Sequence, residues 1–300
     1  MKIVFIGTAL FAVSSLQALY RAGHQISQVI SQPDRAGNRL RLTMSPVKIA
    51  ALELGLEVFQ PEHIAHPQAL DRLRQGEPEL LVLAAYSQII PRSVLELAPR
   101  GVINVHPSLL PSWRGSAPIV RALLAGESTT GVTIMQMDER LDHGPILAKV
   151  ETEIGGRETA LQLTDRLAEL GASLLVETLK RLDSNTPQPQ EHAQASYAKK
   201  LTKSEGDLNW ELSGELIDRY VRGLQPWPGV VLPLQGRKMK VLQGRPLSGR
   251  GQPGEILRLL KGGVEVACGE GSYLLEQLQL PGGRPGPARS LIREIDHGQA

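Results

Sequence analysis

The chain has 300 residues, a formal net charge of +2, 41% hydrophobic residues and 21% charged residues. This composition excludes a disordered chain. A membrane span needs about 20 consecutive apolar residues, and no apolar run reaches that length. The length of the chain suggests about two domains. The single cysteine, Cys268, excludes an internal disulfide and a cysteine-based structural zinc site. Because the N-terminus also lacks the apolar core of a secretion signal, we expect a cytoplasmic protein without a bound metal.

Over the first 180 residues, apolar runs alternate with amphipathic stretches. This alternation is typical of a mostly parallel sheet with crossover helices, so we predict a Rossmann-like α/β domain. The most continuous apolar run, residues 80–86, is expected to form a central strand covered on both faces. The other predicted strands are residues 2–7, 26–31, 101–105, 131–137 and 146–154, and the predicted helices are residues 11–21, 46–54 and 159–182.

The composition changes at residues 184–194, where Asn, Thr, Pro and Gln dominate as they do in a linker. Short apolar runs separated by glycines and prolines follow, which predicts a smaller C-terminal β-barrel without long helices. We therefore predict an N-terminal domain over residues 1–183, a linker over 184–206 and a β-barrel domain over 207–300. The predicted barrel strands are residues 230–234, 239–242, 255–260, 264–267 and 273–280, and residues 282–300 receive no assignment.

The run from Asn104 to Gly115 carries the strongest chemical signal. Asn104 and His106 are two residues apart at the predicted end of a strand, so their side chains point to the same face. Ligands of open α/β sheets bind at such strand ends, where an imidazole can transfer a proton and a carboxamide can donate to a developing oxyanion. The turn after Pro107 is expected to leave backbone groups of residues 108–111 free for a polar planar ligand. The alternative is an ordinary strand end with a turn-forming Asn and a hydrogen-bonded His.

A second signal lies between two predicted strands, in the run from Met137 to Pro145. The carboxylate of Asp142 could reach the neighbouring strand end and pair with an imidazole there. The alternative is that Asp142 only caps a turn beside Gly144. The adjacent His143 is expected to face solvent.

Basic segments point to a polyanionic partner. Residues 31–48 form a long loop without periodicity, and its three arginines, Arg35, Arg39 and Arg41, suit phosphate contacts. From Lys199 to Ala300 the chain holds 15 Lys and Arg against 11 Asp and Glu. A solvated surface and a nucleic-acid partner both remain open from this pattern alone.

Four segments together resemble the methionyl-tRNA formyltransferase family: residues 7–12, 32–48, 104–115 and 131–144. The Asn-x-His-x-Ser-Leu-Leu-Pro run and the downstream Leu-Asp are similar to enzymes that use 10-formyltetrahydrofolate. The Gln-Pro-Asp-Arg…Ser-Pro-Val-Lys loop resembles the members that act on tRNA. The chain departs from the family pattern at Pro107, where glycine is usual, and at His143, where threonine is usual.

The resemblance implies a role for each matching residue. Asn104, His106 and Asp142 match the catalytic trio of the family. The folate-binding positions correspond to Ser108, Leu109, Leu110 and Pro111, together with Tyr86 and Gln88. In the family, one basic loop contacts the acceptor end of initiator tRNA, and its basic positions correspond here to Arg35, Arg39, Arg41 and Lys48. Three lysines lie just before the region that corresponds to an OB-fold-like, tRNA-binding barrel: Lys199, Lys200 and Lys203.

The resemblance also implies the reaction. A formyl group is expected to move from 10-formyltetrahydrofolate, a co-substrate, to the free α-amino group of methionyl-initiator tRNA, for translation initiation. We expect a monomer that uses no metal and does not bind membranes. Two alternatives stay open: the same trio could formylate an amino sugar nucleotide, and a non-catalytic tRNA-binding protein would keep the basic surface without needing the trio.

Overall fold

The computed structural model describes residues 1–36 and 42–297, and the chain divides into two compact units. The first unit contains residues 1–119, 129–153 and 164–199. The second contains residues 120–128, 154–163 and 200–300. The segment predicted as a linker, residues 184–206, is therefore divided between the two units.

The strands of the first unit supply a large mixed sheet and two small ones. They are β1 (Lys2–Gly7), β2 (Gln25–Ile30), β3 (Arg35–Ala36), β4 (Leu42–Thr43), β5 (Val58–Phe59), β6 (Leu80–Ala84), β7 (Val102–His106), β8 (Arg114–Gly115), β9 (Thr129–Gln136), β10 (Ile146–Glu153) and β11 (Tyr197–Ala198). Strands β3 and β4 pair as an antiparallel hairpin, and β8 pairs with β11 in parallel.

The seven-stranded sheet has the order β5, β2, β1, β6, β7, β9, β10. The first five strands of this order are parallel to one another. At the other edge, β9 pairs antiparallel with β7, and β10 pairs antiparallel with β9. Strand β1 has β2 on one side and β6 on the other, so the chain changes direction across the sheet at this point. Open α/β sheets bind ligands beyond the carboxyl ends of the strands near such a reversal. The predicted Rossmann-like, mostly parallel sheet is confirmed.

The helices up to residue 183 are α1 (Phe11–Arg21), α2 (Pro46–Glu53), α3 (Pro67–Gln75), α4 (Arg92–Leu95), α5 (Pro118–Ala125) and α6 (Ala160–Lys180). Helix α2 begins where the sequence indicates, because Ser45 accepts a hydrogen bond from the Lys48 N–H and Pro46 occupies the first turn. Helices α3, α4 and α5 have no counterpart among the helices predicted from the sequence. Each has at most nine residues, too few for a helical period to stand out.

The second unit is built on an antiparallel sheet. Its strands are β12 (Val230–Leu234), β13 (Arg237–Leu247), β14 (Ile256–Leu260), β15 (Gly263–Ala267), β16 (Ser272–Gln279) and β17 (Pro285–Pro287), and its longer helices are α7 (Gly214–Gly223) and α8 (Ala288–His297). The order is β12, β13, β16, β15, β14, with β17 also paired to β16. Gln235 and Gly236 both have positive φ, which is the backbone of a tight turn between β12 and β13.

Two helices of ten residues each were not assigned from the sequence, which predicts a barrel without long helices. Helix α7 is capped by Ser213, whose hydroxyl accepts from the Leu216 N–H, and it buries Ile217 and Val221 in the core of the sheet. Helix α8 and β17 account for most of residues 282–300, which the sequence left unassigned. The smaller, strand-rich C-terminal domain is otherwise confirmed.

Among the residues that the structure describes, none of the helices combines the length and the apolar character needed to traverse a bilayer. Over the same residues, no cluster of three His, Cys, Asp or Glu side chains is arranged to hold a metal ion.

Candidate active site

Strand β7 places Asn104 and His106 at the carboxyl edge of the sheet. The strand is bounded by β6 and β9, with Asn104 opposite Leu83 and Met135. Both polar side chains are almost fully buried, at 6% and 4% exposure. Because they are two residues apart in a strand, they share one face, as the sequence predicts.

Asp142 comes from the loop between β9 and β10 and meets both of these side chains. Its Oδ1 lies 3.5 Å from Asn104 Nδ2 and 3.7 Å from His106 Nδ1. Its Oδ2 accepts a hydrogen bond from the Gly115 N–H at 2.8 Å. The structure therefore brings together the three residues predicted as a catalytic trio, with Asp142 8% exposed.

The partners of His106 define which ring atoms can carry hydrogen. Nε2 lies 3.1 Å from the carbonyl oxygen of Trp113, and because a carbonyl only accepts, Nε2 must donate. Nδ1 faces the Asp142 carboxylate. Both ring nitrogens therefore face acceptors. Trp113, which has a positive φ of 62°, is not among the site residues predicted from the sequence.

The expectation that His143 faces solvent is wrong. Its side chain is only 14% exposed, and its Nδ1 lies 2.7 Å from Asp138 Oδ2. Its ring also stacks on that of His192, with ring centroids 3.8 Å apart. The contact joins residues 49 positions apart in the sequence, so no local pattern could have indicated it.

The structure corrects the expectation that residues 108–111 leave their backbone groups free. Thr133 Oγ1 donates to the carbonyl of Ser108 at 2.7 Å and accepts from the N–H of Leu110 at 3.1 Å. Lys149 Nζ donates to the carbonyl of Leu110 at 3.0 Å. Leu110 is fully buried, and the Ser108 hydroxyl donates to Ser112 O at 2.6 Å. Most groups in this segment thus support the turn beside His106, since buried backbone groups require partners.

Tyr86 and Gln88, the other predicted folate contacts, also use their side chains internally. Tyr86 is 1% exposed and packs in the apolar core, and this burial raises the pKa of its hydroxyl to about 12. Gln88 Oε1 accepts from the Ile64 N–H at 3.0 Å, while its Nε2 donates to Glu62 O at 2.9 Å. The side chain of Tyr86 is therefore not available to a ligand, and its carbonyl accepts a hydrogen bond from Gln32 Nε2 at 2.6 Å.

Ion pairs hold both ends of the basic loop, residues 31–48, within the part of it that the structure describes. Lys48 Nζ lies 2.6 Å from Asp34 Oδ2, and Gln60 Nε2 donates to the other oxygen at 2.8 Å. The hydrogen bond from Gln60, followed by that from Lys48, lowers the pKa of Asp34. Arg35, which is exposed, pairs with Glu62 at 3.0 Å. Two further predicted tRNA contacts, Arg39 and Arg41, lie outside the described residues.

Three lysines, Lys199, Lys200 and Lys203, are exposed, as a phosphate-binding role requires. Lys203 begins a short 3-10 helix that ends at Gly206 and is capped by Thr202 and Glu205. Arg121 Nη2 donates a hydrogen bond to Glu205 Oε1 at 3.1 Å.

Comparisons with known proteins show the family of this chain. A family model described as Formyl transferase matches residues 1–179, and one described as Formyl transferase, C-terminal domain, matches residues 200–295. The methionyl-tRNA formyltransferase of Dechloromonas aromatica is 43% identical over 97% of this chain and 95% of its own length. The methionyl-tRNA formyltransferase of Thermus thermophilus is 45% identical over 98% of this chain and 96% of its own length. The chain belongs to the methionyl-tRNA formyltransferase family.

More distant solved structures share the fold of this family. HypX from Aquifex aeolicus, solved in complex with tetrahydrofolic acid, has a TM-score of 0.66 and 18% identity and covers 98% of this chain and 47% of that chain. WlaRD, a sugar 3N-formyl transferase, has a TM-score of 0.68 and 18% identity and covers 92% of this chain and 97% of that chain. At these identities the likeness concerns the fold alone.

Proposed function

We propose that this chain transfers the formyl group of 10-formyltetrahydrofolate to the α-amino group of methionyl-initiator tRNA. The observation that carries the proposal is the convergence of Asn104, His106 and Asp142 at the carboxyl edge of the sheet. Full-length similarity to methionyl-tRNA formyltransferases supports the choice of substrates.

The three side chains fit the charge changes of formyl transfer. In this reaction a bond forms between the amine nitrogen and the formyl carbon, the bond from that carbon to N10 of the folate breaks, and one proton moves from the amine to N10. Asn104 Nδ2 carries two hydrogens, and its contact with Asp142 uses one. The second can donate to the oxyanion of the tetrahedral intermediate, where one well-placed donor stabilises the transition state by about 2.7–4 kcal/mol.

His106 has the position of the proton-transfer group. Its imidazole is the titratable ring beside Asn104, and an imidazole exchanges protons efficiently near neutral pH. Asp142 holds the ring from the Nδ1 side at 3.7 Å and stabilises positive charge on it. Nε2 donates to the carbonyl of Trp113 in this structure, so it would have to leave that acceptor to give its hydrogen to N10 of the folate.

Phosphate contacts would add the tRNA-binding part of the function. The exposed Lys200 and Lys203 and the exposed Arg35 are positive groups suited to the nucleic-acid backbone. Binding through phosphates releases counterions, so the affinity for tRNA is expected to fall steeply between low and moderate salt concentration. A salt-insensitive affinity would contradict this part of the proposal.

The decisive experiment supplies 10-formyltetrahydrofolate with methionyl-initiator tRNA and measures formyl-methionine after mild deacylation. Product with the initiator and little with methionyl-elongator tRNA is the expected result. Formylation of an amino sugar nucleotide in place of tRNA would keep the trio and overturn the acceptor. Binding of tRNA without any product would favour a non-catalytic protein.

A further inference from the structure

The side-chain amide of Gln190 uses its full hydrogen-bonding capacity around the candidate active site. Its Nε2 donates to the carbonyl oxygens of Asp142 at 2.9 Å and Gly144 at 2.7 Å. Its Oε1 accepts from Arg114 Nε at 3.2 Å and Nη2 at 2.6 Å. Because two acceptors face the nitrogen and two donors face the oxygen, the amide has one orientation. Gln190 is 5% exposed, so water cannot readily replace these partners.

Arg114 connects this amide to the carboxylate of Asp142 along the chain. The guanidinium is 3% exposed and donates a further hydrogen bond to His192 Nδ1 at 2.9 Å. Partial desolvation, followed by the charges of His143 and Arg114, lowers the pKa of His192. Because a guanidinium can only donate, Nδ1 is the acceptor of this hydrogen bond. The next residue, Gly115, donates its N–H to Asp142 Oδ2. Pairing of β8 with β11 fixes the backbone of both residues.

We propose that Gln190 and Arg114 are positioning residues for Asp142. Gln190 holds the main chain of Asp142, while Arg114 locks Gln190 and aligns the Gly115 N–H with the carboxylate. Asp142 has a φ of 47°, a left-handed conformation that an aspartate keeps only where the surrounding structure enforces it. Neither residue contacts a reacting atom; each acts through Asp142, so this role rests on the proposed function.

Composition alone assigns Gln190 to a linker, and the run from Asn104 to Gly115 gives Arg114 no role. The contacts join Gln190 to Asp142 and Arg114, which are 48 and 76 positions away in the sequence. The segment around Gln190 is therefore part of the candidate active site rather than a passive connection.

The test uses Gln190→Leu, which removes all four hydrogen bonds at similar size. Gln190→Glu is the second variant: it keeps an acceptor for Arg114 but replaces the donor to the two loop carbonyls with a carboxylate oxygen. The matched control is Gln188→Leu, because Gln188 is exposed and its side chain donates to Thr186 O in the same segment. Thermal unfolding of each variant checks that it is folded.

Two readouts separate positioning from general stability. The first is the single-turnover rate of formyl transfer, alone and in an Asp142→Asn background. We expect Gln190→Leu or Gln190→Glu to lower this rate by about 10- to 100-fold, with little change in the concentration that gives half of its maximum, and to cause no further loss beside Asp142→Asn. The second is amide hydrogen exchange of Gly115, which is expected to speed up at least about tenfold in the Gln190 variants and not in Gln188→Leu.

The outcomes are distinguishable. Faster Gly115 exchange with a rate loss that disappears beside Asp142→Asn supports the proposal. A rate loss that adds fully to that of Asp142→Asn, or unchanged exchange and unchanged rate in folded Gln190 variants, overturns it. If the unmodified protein formylates no methionyl-tRNA, the proposed function fails, and the exchange readout still decides whether Gln190 holds this loop.

Discussion

Replacement of Asn104 by alanine is the most direct test of the site. The change removes a carboxamide that is 6% exposed and whose Nδ2 reaches Asp142 Oδ1 at 3.5 Å. That distance is at the outer limit of a hydrogen bond, so its loss weakens the resting structure little. The consequence for catalysis depends instead on the second N–H of the amide, which the contact with Asp142 leaves for the oxyanion.

The expected magnitude follows from this geometry. Loss of one oxyanion donor costs about 2.7–4 kcal/mol of transition-state stabilisation, which lowers kcat by about 10²- to 10³-fold. The affinity for tRNA is expected to stay nearly unchanged, because phosphate contacts dominate it. A truncation of this kind destabilises the fold by about 1 kcal/mol, equivalent to a fall in Tm of about 2–4 °C for a domain of this size.

The assay is single-turnover formylation with enzyme in excess over labelled methionyl-initiator tRNA, in parallel with a filter-binding measurement of Kd. Asn209→Ala is the matched control, since Asn209 is exposed and accepts a hydrogen bond from the Glu211 N–H. A folded Asn104→Ala variant whose rate stays within about threefold of the unmodified protein would refute the assignment of the carboxamide. A rate loss that merely follows a weaker Kd would refute the separation of binding from chemistry.

Three further changes separate structural from catalytic roles. We expect Tyr86→Phe to leave the KM for folate unchanged. The free energy of unfolding is expected to rise by up to about 1 kcal/mol, because the buried hydroxyl has no partner among the described residues. A lower stability of this variant in urea would contradict the expectation. We expect Gly144→Ala to lower turnover at least about tenfold, because its Cβ would lie 2.0 Å from the carbonyl oxygen of Gln136. The control is Gly156→Ala, whose Cβ would meet open space and whose activity is expected to be retained. Equal rates for the two variants would contradict this reasoning. We expect Asp34→Asn to destabilise the protein near neutral pH. The hydrogen bond from Gln60, above all, lowers the pKa of the Asp34 carboxyl in the folded state. The carboxylate therefore stabilises the fold above its ordinary pKa of 3.8, and this stabilisation is lost as the pH falls through the lowered pKa. A difference in urea unfolding that does not depend on pH would contradict this.

The position of the trio could be predicted because it follows from local rules. Two polar residues at alternate positions of a strand share a face, and strand ends of a parallel sheet share an edge. Asn104 and His106 satisfy both rules. Asp142 joins them because β9 and β10 form an antiparallel pair whose connecting loop lies next to β7.

The orientation of the neighbouring side chains could not be predicted in the same way. Sequence similarity assigns Tyr86 and Leu110 to folate, yet both side chains are turned into apolar clusters. The side chain of a residue near a strand end can point either toward the ligand or toward the core, and the sequence does not specify which. The pleat and the turn after the strand determine it.

Residues 184–199 show how polar composition can mislead. Asn, Gln and Ser are typical of solvated linkers, but loops beside a buried site contain backbone groups that also need polar partners. Ser196 Oγ accepts from the Trp113 N–H at 2.9 Å, and its carbonyl accepts from the Arg114 N–H at 2.8 Å. Gln190 supplies donors to the Asp142 loop in the same way. A segment that supports catalytic loops must carry hydrogen-bonding side chains rather than apolar ones, so the composition that predicts a linker is also the composition that this supporting role requires.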